Sequence, residues 1–246
     1  MPIDNQSLLL EKITGIFVGT HDFRELANQA VDLIAKELKN QHVVTVGIGR
    51  VHEKERLLHA YAYATKYRKV LDKLLPKRFS ELNIALDKAD NLGVKTVTTG
   101  QIQQSKRVAD FSRGIFSDQL ADKLQKIMKG KLSAGFPIRS RSGKTAGFLL
   151  LILDEESLTG QQMLLFQAIA NQLGLAFSNV FAFEKLVQKY KNSLAGELAG
   201  RNDQHIPSVK FTLRITPQED KKLAELARQR GKTKAEIIRE VIDKDP

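Results

Sequence analysis

The sequence predicts an α+β protein: an antiparallel sheet with helices on both faces, a long coiled-coil-like helix, and a small strand-helix-helix unit at the end. Three observations carry this prediction. Apolar residues alternate in neighbouring runs separated by short turns, as in "HVVTVGIGRV" and "RLLHAYAYA". A stripe with spacings of three and four runs unbroken from Phe166 to Leu198. Beyond it the lone segment "VKFTLRI", Val209 to Ile215, alternates apolar and polar with only helical patterns for company. The expected boundaries are 1–158 for the sheet core, 159–199 for the long helix that completes it and forms a dimer seam, 200–207 for a linker, and 208–246 for the last unit.

The first element is a helix in "HDFRELANQAVDLIAKELKN". Phe23, Leu26, Ala27, Ala30, Val31, Ile34 and Leu38 fall on one face, and Asp22 with Glu25 makes a capping box. The two alternating runs around "HEKE" then read as a hairpin. A weaker alternation in "SELNIALDK" predicts a third strand, and Asn91 to Thr99 a helix stopped by Gly100. After a polar stretch of short helical patterns, "KLSAGFPIRSRSGKTAGFLLLILD" gives two strands around Ser142-Gly143. The second is apolar on both faces, as a central strand requires.

From Thr159 a long helix follows. Phe166, Ile169, Leu173, Ala176, Val180, Phe183, Val187, Tyr190, Leu194 and Leu198 keep heptad spacing, while Leu165, Phe177 and Phe181 form a second stripe. The expectation is that the second stripe faces the sheet and the heptad positions meet a partner chain; packing of the whole helix on its own sheet is the alternative. "AGRNDQHIPS" then breaks every periodicity.

The last unit has two capped helices. Thr216, Pro217 and Glu219 open one, with Leu223, Leu226 and Ala227 as its apolar face, and Gly231 ends it. Thr233 and Glu236 cap the next, whose buried side is Ile237, Ile238, Val241 and Ile242. One strand and two helices bury too little surface to stand alone, and one strand leaves its backbone unpaired. The unit is therefore expected to pair its strand with a two-fold mate, turning Phe211 and Leu213 inward and Lys210, Thr212 and Arg214 outward. Such a ribbon fits the DNA major groove.

The formal net charge of +11 favours a polyanionic partner, although an acidic lipid surface or an anionic ligand attracts the same charge. The chain has no cysteine, which removes disulfides, thiolate catalysis, thiolate metal sites and a thioether-linked chromophore. No secretion signal is read at "MPIDNQSLLLEKITGIF", and no run of 18 uninterrupted apolar residues occurs. The expected location is the cytoplasm, with no membrane partner.

"VKFTLRITPQEDKKLAELARQRGKTKAEIIREVI" resembles the ribbon-helix-helix DNA-binding family of Arc and MetJ type, from Val209 to Ile242. The resemblance rests on the polar triplet of the strand, the strand-to-helix proline and the Gly-x-Thr-x-x-Glu-Ile-Ile-Arg opening of the second helix. It implies base contacts by Lys210, Thr212 and Arg214 of both chains and a phosphate at the second helix N-terminus, for which Lys232, Thr233 and Lys234 are the candidates. The chemistry agrees: Arg and Lys donate to guanine acceptors, Thr donates or accepts, and helix N-terminal amides attract phosphate.

The order helix, hairpin, third strand, helical stretch, two strands and long helix resembles a GAF domain over about residues 5–190. The matching segments are "HDFRELANQAVDLIAKEL", "NLGVKTVTTGQ" and "SAGFPIRSRSGKTAGFLLLIL". The resemblance implies a small molecule bound between the sheet and a helical roof, here Ile102 to Leu132. From Gln104 to Lys144 ten Lys and Arg stand against three Asp, a net +7, which would draw an anionic ligand or nucleotide. The candidate pocket is Arg107, Phe111, Arg113, Phe116 and Phe136; the competing reading makes the cations a solvated face or DNA flank and the phenylalanines core. The Asn-Lys-Phe-Asp-Glu signature of cyclic-nucleotide-binding members is absent from the sequence. With no cysteine, the thiol chemistry of GAF-type methionine sulfoxide reductases is excluded too.

No catalytic constellation emerges. His21, His42, His52, His59 and His205 show no pair at metal-ligand spacing, "DEES" reads as a strand exit, and "RSGKTAG" lacks the first glycine of a phosphate loop and opens a strand. The expected function is a homodimeric, ligand-responsive transcription regulator of double-stranded DNA, with higher-order assembly on DNA open. Two alternatives remain: a structural, partition or antitoxin-like autorepressor whose GAF-like domain only dimerises or holds protein, and a signalling enzyme accessory whose basic surface meets nucleotide or RNA.

Overall fold

Asp22 accepts a hydrogen bond from the Glu25 amide at 2.7 Å and so starts the first long helix, as its capping box predicts. The computed structural model describes residues 11–15, 22–199 and 217–243, with side chains described for 11–15, 22–190 and 220–238. The expected linker and the strand 209–215 lie outside the described residues. The chain divides into two compact units, Met1–Val180 and Phe181–Pro246.

In the first unit a short helix α1 (11–15) precedes α2 (Phe23–Glu37), whose whole apolar face is buried. The strands are β1 (Val43–His52), β2 (Leu57–Thr65), β3 (Asn83–Ala85), β4 (Gln103–Ser105), β5 (Leu132–Arg139) and β6 (Thr145–Leu153). Between them lie α3 (Arg68–Leu74), α4 (Leu92–Thr99), α5 (Ala109–Ser112) and α6 (Asp118–Met128). The strands form one antiparallel sheet in the order β3-β2-β1-β6-β5-β4. β6 sits inside the sheet, which its two apolar faces require, and the two edges are strands of only three residues. Neither β4 nor α3 is announced by the sequence pattern.

The helix α7 (Gly160–Ala199) begins at Thr159, which exchanges capping bonds with Gln162. Its first half lies against the sheet. Phe166 meets Phe136 edge-on at 5.8 Å, and Phe177 meets Phe23 of α2 at 4.5 Å. Each of these buried rings stabilises the fold by about 1.5–3 kcal/mol through removal from water. A side chain at Gly174 would place its Cβ 1.9 Å from the Arg139 carbonyl oxygen, so only glycine permits this approach of helix to strand.

This packing corrects the expected dimer seam. Phe166, Ile169, Leu173 and Val180 are no more than 2% exposed, as is Ala176, so they are core and offer nothing to a second chain. Leu165 and Phe177, expected to face the sheet, are buried as well. A three-four spacing describes any helix with a covered face and does not say what covers it. Further along, Phe183, Val187 and Tyr190 are half-buried, and the Leu194 side chain lies outside those described. By length and composition α7 is, among the described residues, long and apolar enough to cross a membrane, but half of the apolar window is buried within the protein.

The second unit contains α8 (Pro217–Gln229) and α9 (Lys234–Asp243). Gly231, at φ 62°, donates its amide to the Arg228 carbonyl oxygen, and the Lys232 amide donates to Ala227, so the chain leaves α8 through a left-handed glycine. Leu226, Ala227 and Ile237 form the small buried cluster between the helices, with Leu223 packed against it.

Candidate functional sites: an apolar cavity and a helix pair

Glycines on β1 and β5 let neighbouring side chains approach the sheet face closely around the cavity. At Gly49 a Cβ would lie 2.5 Å from the Phe148 ring, which leans across the strand instead. At Gly135 a Cβ would lie 2.8 Å from both the Phe111 ring and the Thr96 hydroxyl, so the roof descends directly onto β5. Between sheet and roof remains a cavity of about 130 Å³, walled chiefly by Leu58, Tyr63, Val108, Phe111, Leu124 and Phe148. An apolar cavity of about 150 Å³ holds a single aromatic ring.

Asn91 fixes the roof. Only 1% exposed, it caps α4 through its Oδ1, which accepts from the Val94 amide at 3.0 Å, and its Nδ2 donates to the carbonyls of Phe111 and Arg113 at 2.9 Å each. Polar residues at the wall include Tyr63, whose hydroxyl donates to Asp72. Burial, followed by that bond and the Asp72 charge, pushes the Tyr63 phenol above its ordinary value.

The predicted pocket residues divide. Phe111 and Phe116 line the cavity. Phe136 does not: it points to the other sheet face, against Phe166 of α7. Arg107 and Arg113 do not either. Arg107 reaches Asp118 at 3.3 Å and Asp122 at 3.5 Å, and Arg113 binds Asp110 at 2.9 Å. Asp122 first, then Asp118 and Asp110, hold the Arg107 guanidinium above its ordinary value. Arg107 instead lines a separate groove with Lys126, Lys129 and Lys131. A guanidinium has no partner inside an apolar cavity and settles among carboxylates outside it, so the expected cationic lining is corrected to an apolar one.

Two further groupings follow from the fold. His42 stands 3.0 Å from Asp154 and 3.2 Å from Glu155, so the "DEES" turn holds a histidine after β6. His52 and His59, separate in sequence, meet across the β1-β2 hairpin with ring centroids 4.5 Å apart. The strict count of spacing along the chain missed this pair. The alternation of a hairpin with a four-residue turn was the signal available.

In the second unit the phosphate candidates gather at the start of α9. Thr233 forms the predicted capping box: its amide donates to Glu236 Oε2 at 2.7 Å, and the Glu236 amide donates to the Thr233 hydroxyl at 3.2 Å. Lys234 pairs with Asp220 of α8 at 2.6 Å, an exposed contact that ties the helices weakly. Lys232 is exposed on the connecting turn. Lys210, Thr212 and Arg214 lie outside the described residues.

Comparison with known proteins identifies both units. The model of the ribbon-helix-helix protein, copG family, matches residues 209–244. Solved structures match the N-terminal part of the chain. The GAF domain from Acinetobacter phosphoenolpyruvate-protein phosphotransferase is 14% identical with a TM-score of 0.51, over 72% of this chain and 95% of that one. The A. aeolicus nlh2 GAF domain in an inactive state gives 15% and 0.50, over 73% and 97%. The free methionine-R-sulfoxide reductase from Neisseria meningitidis in complex with its substrate gives 12% and 0.52, over 72% and 90%. No curated protein matches. The chain thus joins a GAF fold to a ribbon-helix-helix segment.

Proposed function

We propose that the protein is a homodimeric transcription regulator that binds operator DNA through an intermolecular ribbon and senses a small molecule in its GAF-fold unit. The observation that carries this reading is the ribbon-helix-helix match over 209–244, with three hydrogen-bond donors, Lys210, Thr212 and Arg214, at the alternating polar positions of its opening sequence. Dimerisation follows from the same segment, since a ribbon needs two strands and each chain supplies one. On α7, Leu164 and Leu175 are 74% and 44% exposed and fall three turns apart on one face, which makes that face the candidate for the two-fold contact in place of the buried stripe.

The cavity supports a sensing role and sharpens the effector class. Its walls favour a compact, largely apolar molecule with one polar group to meet Tyr63, and a nucleotide is too large for about 130 Å³. Occupancy regulates DNA binding only where the ligand prefers one conformational state of the dimer. Selection of duplexes from a random pool with the full chain tests the function. The expected outcome is enrichment of paired half-sites; a pool without sequence preference overturns the reading.

A further inference from the structure

We infer that His52, Glu55 and His59 form a binding site for one divalent transition-metal ion, Zn²⁺ being the representative, on the β1-β2 hairpin. None of the three belongs to the matched segment 209–244, and of the three only His59 borders the cavity. Their ligand atoms all lie within 4.8 Å of one another. Glu55 Oε2 is 3.3 Å from His59 Nε2, and Glu55 Oε1 is 3.9 Å from His52 Nδ1. Donors around tetrahedral Zn²⁺, with bonds of about 2.0–2.2 Å, stand about 3.4 Å apart, so small side-chain rotations close the set.

The hairpin explains why the three converge. Arg50 pairs with His59 in the register, so residues 50 and 52 of β1 share a sheet face with His59. The turn between the strands, with Arg56 at φ 54°, carries Glu55 over the two rings. Two independent features point to a ligand. His59 Nε2 is a buried nitrogen without a hydrogen bond of acceptable geometry, although a carboxylate is beside it. His52 has its other nitrogen, Nε2, at 2.9 Å from the Tyr61 hydroxyl, the type of outer contact that fixes the orientation of a metal-binding imidazole. Two imidazoles and one carboxylate suit Zn²⁺ and its first-row neighbours and leave a fourth position open; hard cations such as Mg²⁺ prefer oxygen ligands.

Isothermal titration calorimetry of the full chain with Zn²⁺ tests the site, with Co²⁺ absorption reporting ligand geometry. The expected result is one ion per chain, with binding weakened at least about tenfold by His52→Ala, by His59→Ala and by Glu55→Gln. Glu55→Gln changes an exposed turn residue without changing its shape and keeps the test valid where a histidine variant unfolds. His42→Ala, at the other histidine-carboxylate grouping, is expected to bind as the parent does. No saturable binding, binding unchanged in Glu55→Gln, or loss confined to His42→Ala each overturns the site.

Discussion

The Asn91 side-chain amide donates to the Phe111 carbonyl oxygen at 2.9 Å, joining the start of α4 to the α5 roof twenty positions later. The same amide holds Arg113, and the same side chain caps α4. Asn91→Ala removes a cap and leaves carbonyls without their donor, so stability is expected to fall by about 2–3 kcal/mol. Urea unfolding of the full chain, followed by the GAF-fold transition, checks it; a loss below about 0.5 kcal/mol would show that the roof is held elsewhere.

Tyr63 makes a prediction at alkaline pH. Its folded pKa is raised by burial and by Asp72, so the folded phenol keeps its proton where the unfolded phenol, with a pKa of about 10, has lost it. The unfolded state then binds fewer protons, and the free energy of unfolding falls as pH rises. The stabilisation is complete below about pH 10 and is lost above it, with a slope of up to about 1.4 kcal/mol per pH unit. Tyr63→Phe is expected to flatten the stability profile above pH 10 relative to the parent. An identical slope in both proteins would refute the assignment.

On the proposed dimer, the buried and exposed faces of α7 separate folding from association. Leu173 is fully buried, so Leu173→Ala is expected to cost about 2–5 kcal/mol at any protein concentration. Leu164 is exposed, so Leu164→Lys paired with Leu175→Lys is expected to leave the unfolding of the GAF-fold unit within about 0.5 kcal/mol while shifting sedimentation toward monomer. A monomer from Leu173→Ala without loss of stability would restore the heptad stripe as the seam.

Legibility in the sequence followed the range of the interactions. α2 was readable because Asp22, Glu25 and the apolar spacing act within one helix. β6 was readable because a strand covered on both faces must be apolar throughout. Facing was not readable where tertiary structure sets it. His59, Tyr61 and Tyr63 alternate as though they share one side, yet the register jumps between Ile48 and Gly49, pairing Ala62 with Ile48 and Ala60 with Gly49. The extra residue, Tyr61, turns Tyr63 with Gly47 toward the cavity, while Tyr61 itself and Arg50 lie against Phe23 of α2. Phe136 eluded the same reasoning, since seven consecutive residues of β5 are buried and alternation carries no information there.

The proposed DNA reading distinguishes two classes of contact that variants separate. Lys210 and Arg214 hold alternating polar positions in the sequence and are the proposed base contacts, so Lys210→Ala and Arg214→Ala should each weaken specific binding by about 1–3 kcal/mol per lost base contact and relax preference at that base. Lys232, on the exposed turn before α9, is the proposed phosphate contact. Lys232→Ala should weaken all duplexes alike and lower the salt dependence of binding by about one unit of slope per lost contact. Lys234→Ala also breaks the pair with Asp220, an exposed contact whose loss costs at most about 1 kcal/mol, so its main effect should again be on the salt slope. Fluorescence anisotropy on operator and scrambled duplexes at several salt concentrations measures all four variants. Equal losses on both duplexes for Lys210→Ala and Arg214→Ala would move those residues from base recognition to the phosphate backbone.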